Sequence, residues 1–109
     1  MIKNYLPNKT IPAKTLLENF GSPMDSTTLF RAFEIAGLIE KIEYISSSGS
    51  GEIKTFWAFT DKGLQFGENK PTLSPTKTNL AFYPITFHDA LLAAAEVIMA
   101  HTRSLQNDW

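Results

Sequence analysis

Asp25-Ser26-Thr27-Thr28-Leu29-Phe30-Arg31-Ala32-Phe33-Glu34-Ile35-Ala36-Gly37, with the later runs Ile42-Glu43-Tyr44-Ile45 and Ile53-Lys54-Thr55-Phe56-Trp57-Ala58-Phe59, decides the fold. Asp25 or Ser26 offers a side-chain oxygen to the first free N–H groups of a helix. Leu29, Phe30, Phe33, Ala36 and Leu38 supply an apolar stripe at helical spacing. Gly37 stands where a left-handed residue ends such a helix. The other side of this helix reads Thr27, Thr28, Arg31, Glu34 and Ile35, an outward face. The two later runs alternate with period two and are rich in β-branched or aromatic residues, as strands are. Between them Ser46-Ser47-Ser48-Gly49-Ser50-Gly51-Glu52 reads as a flexible hairpin tip.

Upstream, Thr10-Ile11-Pro12-Ala13-Lys14-Thr15-Leu16-Leu17-Glu18-Asn19-Phe20 reads as a shorter helix. Thr10 is its expected cap, and Pro12 sits where a missing N–H does no harm. Ala13, Leu16, Leu17 and Phe20 share one face, and Gly21-Ser22-Pro23-Met24 breaks the helix. Two short helices across a tight glycine-containing turn form a helix-turn-helix arrangement. A hairpin with a loose polar tip then completes a winged helix in outline. Thr60 to Gly67 closes the unit with a capped short turn.

The remaining chain is read as two parts. Residues 71–85 are polar and proline-punctuated (Pro71, Pro75, Pro84) and are expected to connect across the surface, pinned by Phe82 and Tyr83. Residues 86–109 are expected to form a last helix starting near Thr86, with Asp89 three residues on as a weak capping box. Phe87, Leu91, Ala94, Ile98 and Leu105 mark one face, yet Leu92, Ala95, Val97 and Met99 leave almost no polar side except Glu96. A helix apolar nearly all round needs cover on more than one side. A second copy of the chain is the expected cover, with Leu91, Leu92, Ala95, Ile98 and Met99 as the dimer interface. The expected fold class is α+β: a winged-helix domain over residues 1–70, a connector over 71–85, and an additional C-terminal helix over 86–109.

Composition bounds the function. A chain of 109 residues with 43% hydrophobic and 12% aromatic content has one domain's worth of core. No cysteine is present, which excludes a disulfide framework and a thiolate zinc site. Met1 to Pro7 lacks the apolar core of a signal peptide. The apolar run around residues 90–100 is interrupted by Glu96 and is far short of a membrane span. A cytoplasmic location away from membranes is the default expectation. Ten Lys/Arg against eleven Asp/Glu give a net charge of −1, and no segment has the positive bias of a non-specific phosphate binder.

From Ala13 to Gly67 the chain resembles winged-helix modules of phage and prophage regulators, especially the carboxy-terminal domain of phage antirepressors. The residues that carry the resemblance are Leu16-Leu17, the helix ending Ala36-Gly37-Leu38-Ile39, and Trp57-Ala58-Phe59-Thr60-Asp61-Lys62-Gly63. Gly67-Glu68-Asn69, Tyr83-Pro84 and Phe87 look like the tail that succeeds this module. The resemblance implies a winged-helix fold and a regulatory role. The chain departs from DNA-contacting members in carrying few basic residues on the second helix and the hairpin, where Arg31, Lys41 and Lys54 stand beside Glu34, Glu40, Glu43 and Glu52.

Two partners fit this surface. If the partner is DNA, the second helix enters the major groove with Thr27, Thr28 and Arg31 at base edges, Arg31 alone being able to bind guanine in bidentate fashion. Lys14 and Lys54 would then touch phosphate. If the partner is a protein, as for an antirepressor-like or host-inhibitory factor, the near-neutral helix face and acidic hairpin are the docking surface. Phe56, Trp57, Phe59, Phe82 and Tyr83 fit a half-buried strand pattern better than a base-stacking platform. Trp109 is expected to be disordered or docked on a partner.

No enzyme is expected. His88 and His101 lie thirteen residues apart near opposite ends of one helix and cannot share a metal within the chain. Asp89 and Glu96 lie seven apart with no base or nucleophile beside them. The hairpin-tip glycines are followed by no P-loop lysine. Neither a cofactor nor a metal is expected.

Overall fold

The computed structural model describes residues 9–46, 49, 51–73 and 77–105. Residues 1–8, Ser47, Ser48 and Ser50 of the hairpin tip, and Trp109 therefore lie outside the described residues. The chain is an α+β protein with helices α1 (Ala13–Phe20), α2 (Ser26–Ile35) and α3 (Pro84–Leu105). Two separate antiparallel hairpins accompany them, β1 (Ile39–Ile45) with β2 (Ile53–Phe59) and β3 (Gly67–Pro71) with β4 (Thr78–Phe82).

α1 starts later than its sequence suggests, which corrects the role given to Thr10. Pro12 occupies the cap position without a side-chain bond, and Leu16 N–H donates to the Pro12 carbonyl at 3.2 Å. The reason lies in Ile11. A residue before proline is steered to extended backbone, and Ile11 uses that geometry to exchange two hydrogen bonds with Phe82, of 2.9 and 2.8 Å. Thr10 thus stands two residues ahead of the cap position. α1 then buries Ala13, Leu16 and Leu17, and Gly21 ends it in the left-handed region at φ 67°.

α2 is defined at both ends by its own residues. At its C-terminus Gly37 adopts φ 76° and donates to the Glu34 carbonyl at 3.0 Å, while Leu38 donates to Phe33 at 2.9 Å. This is a Schellman closure, with Leu38 and Phe33 both in the core. Thr60, just after β2, reinforces it: its hydroxyl donates to the Gly37 carbonyl at 2.7 Å and its N–H to Leu38 at 3.0 Å. The Lys62 ammonium donates to the Ala36 carbonyl at 3.4 Å, where the negative end of the α2 dipole lies. A Cβ at Gly63 would run into the Leu38 carbonyl. The Thr60-Asp61-Lys62-Gly63 stretch therefore locks the first hairpin to the end of α2.

β4 lies inside the segment expected to be a connector, which corrects that expectation. β3 and β4 pair as a second antiparallel hairpin whose register sets Gly67 opposite Phe82 and Pro71 opposite Thr78. The polar, proline-punctuated composition hides it because only Ala81 and Phe82 of β4 are buried. The two hairpins are joined by a side chain. Asn69 presents its amide to Phe59, accepting from the Phe59 N–H at 2.7 Å and donating to its carbonyl at 3.3 Å. Phe59 and Ile39 face each other in the first hairpin, and Asn69 satisfies the outward edge that Phe59 leaves open.

α3 begins at Pro84, two residues before the expected start at Thr86. Proline is at home in a first helical position, and Thr86 instead sits in the first turn with its hydroxyl donating to the Tyr83 carbonyl at 3.4 Å. Phe87, Ala90 and Ala94 of α3 are buried against α1, α2 and β4. From Ile98 onward every described residue is exposed. The radius of gyration, 15.5 Å, exceeds the ~13 Å of a compact chain of this size. The distal residues of the first hairpin and the end of α3 beyond Val97 are exposed outside the core.

Two substitutions test this packing in urea titrations. Phe82→Ala should cost about 3–5 kcal/mol, the range for a buried phenylalanine. Asn69→Ala should cost about 1–3 kcal/mol by orphaning the Phe59 backbone groups. A loss below about 1 kcal/mol for both contradicts the packing described.

Candidate functional site

The α2 surface is set by its cap and its stripe. Asp25 has extended backbone, and its carboxylate accepts from the Thr28 N–H at 2.7 Å. With Leu29, Ala32 and Phe33 turned into the core, helical geometry turns Thr27, Thr28, Arg31, Glu34 and Ile35 outward, and all five are exposed. This is the outward face expected from the spacing. Ala32 is buried although the apolar stripe read from the sequence omits it; its small side chain gives the stripe no weight.

Lys14 and Lys54 are exposed as well. Lys14 lines an open cleft of about 410 Å³ together with Ser26 and Phe30 of α2, Phe56 and Trp57 of β2, and Asn79 of β4. The start of α1, the start of α2 and the hairpin thus meet at one depression. Lys54 lies opposite Tyr44 on the projecting part of the hairpin.

Charge on this side is sparse and partly committed. Lys41 holds its ammonium 5.1 Å from the Trp57 ring centroid, across the strand pair they form. Among the described residues of α1, α2, β1 and β2, that leaves Lys14, Arg31 and Lys54 as cations, near Glu18, Asp25, Glu34, Glu40, Glu43 and Glu52 in sequence. The hairpin also exposes apolar side chains. Ile45 and Ile53 face each other at 68% and 63% exposure, with Ile42 nearby on the opposite face of the ribbon.

The aromatic residues of β2 divide by position along the strand, burial rising toward the core end, and not by period-two alternation. Phe59 and Phe82 are buried in the core, while Phe56, Trp57 and Tyr83 are half-buried. No row of exposed rings exists among the described residues. On α3, Leu92, Ala95, Ile98 and Met99 are exposed and Leu91 is half-buried. His88, Asp89, Glu96 and His101 are exposed on the same helix. Among the described residues no three His, Asp or Glu side chains gather into a metal-sized group, and no helix is long and apolar enough to cross a membrane.

Compared with known proteins, the chain matches no family model, no curated sequence and no solved structure.

The Asp25 carboxyl is held below its ordinary value, first by the Thr28 N–H and then by the Thr28 hydroxyl. A depressed folded value means the cap stabilises α2 above the unfolded carboxylate range and ceases to do so as pH falls through the folded value. Asp25→Ala should therefore lower the melting temperature at neutral pH, with the gap to wild type closing in acid. A gap unchanged by acid contradicts a carboxylate cap.

Proposed function

We propose that this chain is a winged-helix regulatory module of phage or mobile-element type that docks α2 against duplex DNA. In this reading α1 and α2 are the helix-turn-helix, β1 and β2 are the wing, and the role is not catalytic. The observation that carries it is the α2 face. Thr27, Thr28 and Arg31 are exposed along its N-terminal two turns, the part of a recognition helix that meets base edges. Arg31 has the fork geometry that binds guanine O6 and N7 together, and Lys14 and Lys54 supply flanking phosphate contacts.

The sparse charge makes a quantitative demand. Two phosphate-contacting cations per chain give a slope of log K against log salt of about −2, and little non-specific affinity. Specificity must then rest on few contacts, Arg31 first among them.

A second reading, docking on a protein, is favoured by the hairpin. Ile45 and Ile53 form an exposed apolar patch rimmed by Glu43 and Glu52, a composition suited to a protein surface and poor for a phosphate backbone.

Selection of duplexes from a random library, then anisotropy titration across salt, separates the two. The DNA reading expects the slope above and a loss of about 1–3 kcal/mol for Arg31→Ala at the preferred sequence. Absence of binding to every duplex at low salt contradicts it and leaves the protein reading. That reading expects the double variant Ile45→Ser, Ile53→Ser to keep its melting temperature while losing its partner in crosslinking from host extract.

A further inference from the structure

The second half of α3 has no core of its own to rest on. The helix has 22 residues, about 33 Å at the α-helical rise, and its buried contacts end at Ala94, with Val97 half-buried. Beyond them Ile98, Met99 and Leu105 are 37%, 51% and 47% exposed, and Leu92, on the outward side before Ala94, is 49% exposed.

These side chains form a seam with a heptad rhythm. With Leu92 at position a, the a row is Ile85, Leu92 and Met99, and the d row is His88, Ala95 and Thr102. The flanks differ sharply. One carries Leu91, Ile98 and Leu105; the other carries Asp89, Glu96 and Arg103.

We propose that the occupant of this seam is α3 of a second copy, running antiparallel about a two-fold axis near Val97. The flanks select the direction. A parallel pair sets the charged row of each helix against the leucine row of the other, whereas an antiparallel pair sets like rows together. In the antiparallel register Ile98 meets the partner's Ile98, and Leu91 meets the partner's Leu105. Ala95 meets the partner's Met99, the small side chain receiving the long one. On the other flank Asp89 lies opposite the partner's Arg103, twice over by symmetry. On that charged flank Glu96 meets its own copy, a local repulsion near the axis. This pairing stands whichever partner α2 takes, and it would double the cations offered by one chain.

An interface of one helix per copy belongs to the small, weak class, so wild type should dimerise with a dissociation constant of about 10–100 µM in sedimentation equilibrium. Asp89→Arg and Arg103→Asp, each at an exposed site, should each weaken it about tenfold, since two attractive pairs become repulsive. An equimolar mixture of these two variants restores both attractions and should form a heterodimer within about threefold of wild-type affinity. Ile98→Asp should abolish association while circular dichroism stays native, and Glu96→Gln should tighten it. A wild type that stays monomeric to about 1 mM overturns the proposal. A mixture no tighter than either variant alone overturns it equally, as does a dimer indifferent to all four substitutions.

Discussion

Phe82 is the constraint that ties together the three helices, β2 and β3. Its ring is fully buried and lies between 5.1 and 6.3 Å, centroid to centroid, from the rings of Phe59, Phe87, Phe33 and Phe30. Those four rings belong to β2, α3 and α2. Its backbone exchanges both hydrogen bonds with Ile11, just ahead of α1. One residue on β4 therefore holds the approach to α1, the inner side of α2, the base of the hairpin and the first turn of α3. Edge-to-face and offset ring pairs of this kind add to the apolar area they remove from water. In a domain of 109 residues few other positions could serve so many elements.

This arrangement explains which surfaces remain free. Phe30 and Phe33 turn toward Phe82, so the far side of α2 faces solvent with Thr27, Thr28 and Arg31 on it. Phe59 anchors the hairpin at its base, and Asn69 and Thr60 hold that base from two directions. The distal strands, from Lys41 to Ile45 and Ile53 to Thr55, have no such support and stay exposed apart from half-buried Tyr44. Phe87 fixes the start of α3, and beyond Val97 the helix leaves the core. The exposed face, the projecting hairpin and the overhanging helix are consequences of one packing centre.

Much of this is legible in the residues. Helical spacing places the outward face of α2 correctly because Leu29 and Phe33 are large and leave no doubt about the inner side. Gly37 announces the end of α2, and the strand runs announce the first hairpin. The second hairpin is not legible: β4 carries Thr78, Asn79 and Leu80 with prolines on either side, and its burial rests on two residues only. The cap of α1 misleads because Thr10 has the right side chain but stands two residues before the cap position, Pro12, while Ile11 between them pairs with Phe82, seventy-one positions along the chain. Nor can any pattern show that Asn69 binds the backbone of Phe59, since a lone asparagine shortly after a glycine reads as a turn.

The claim that Phe82 is the common anchor is tested most directly by native-state amide exchange at Ile11 and Phe82. If it holds, these two amides open only with global unfolding, at the same free energy as the Leu38 amide that closes α2. Exchange at the faster rate of the distal hairpin amides would show a segment merely lying on the surface, and would contradict it.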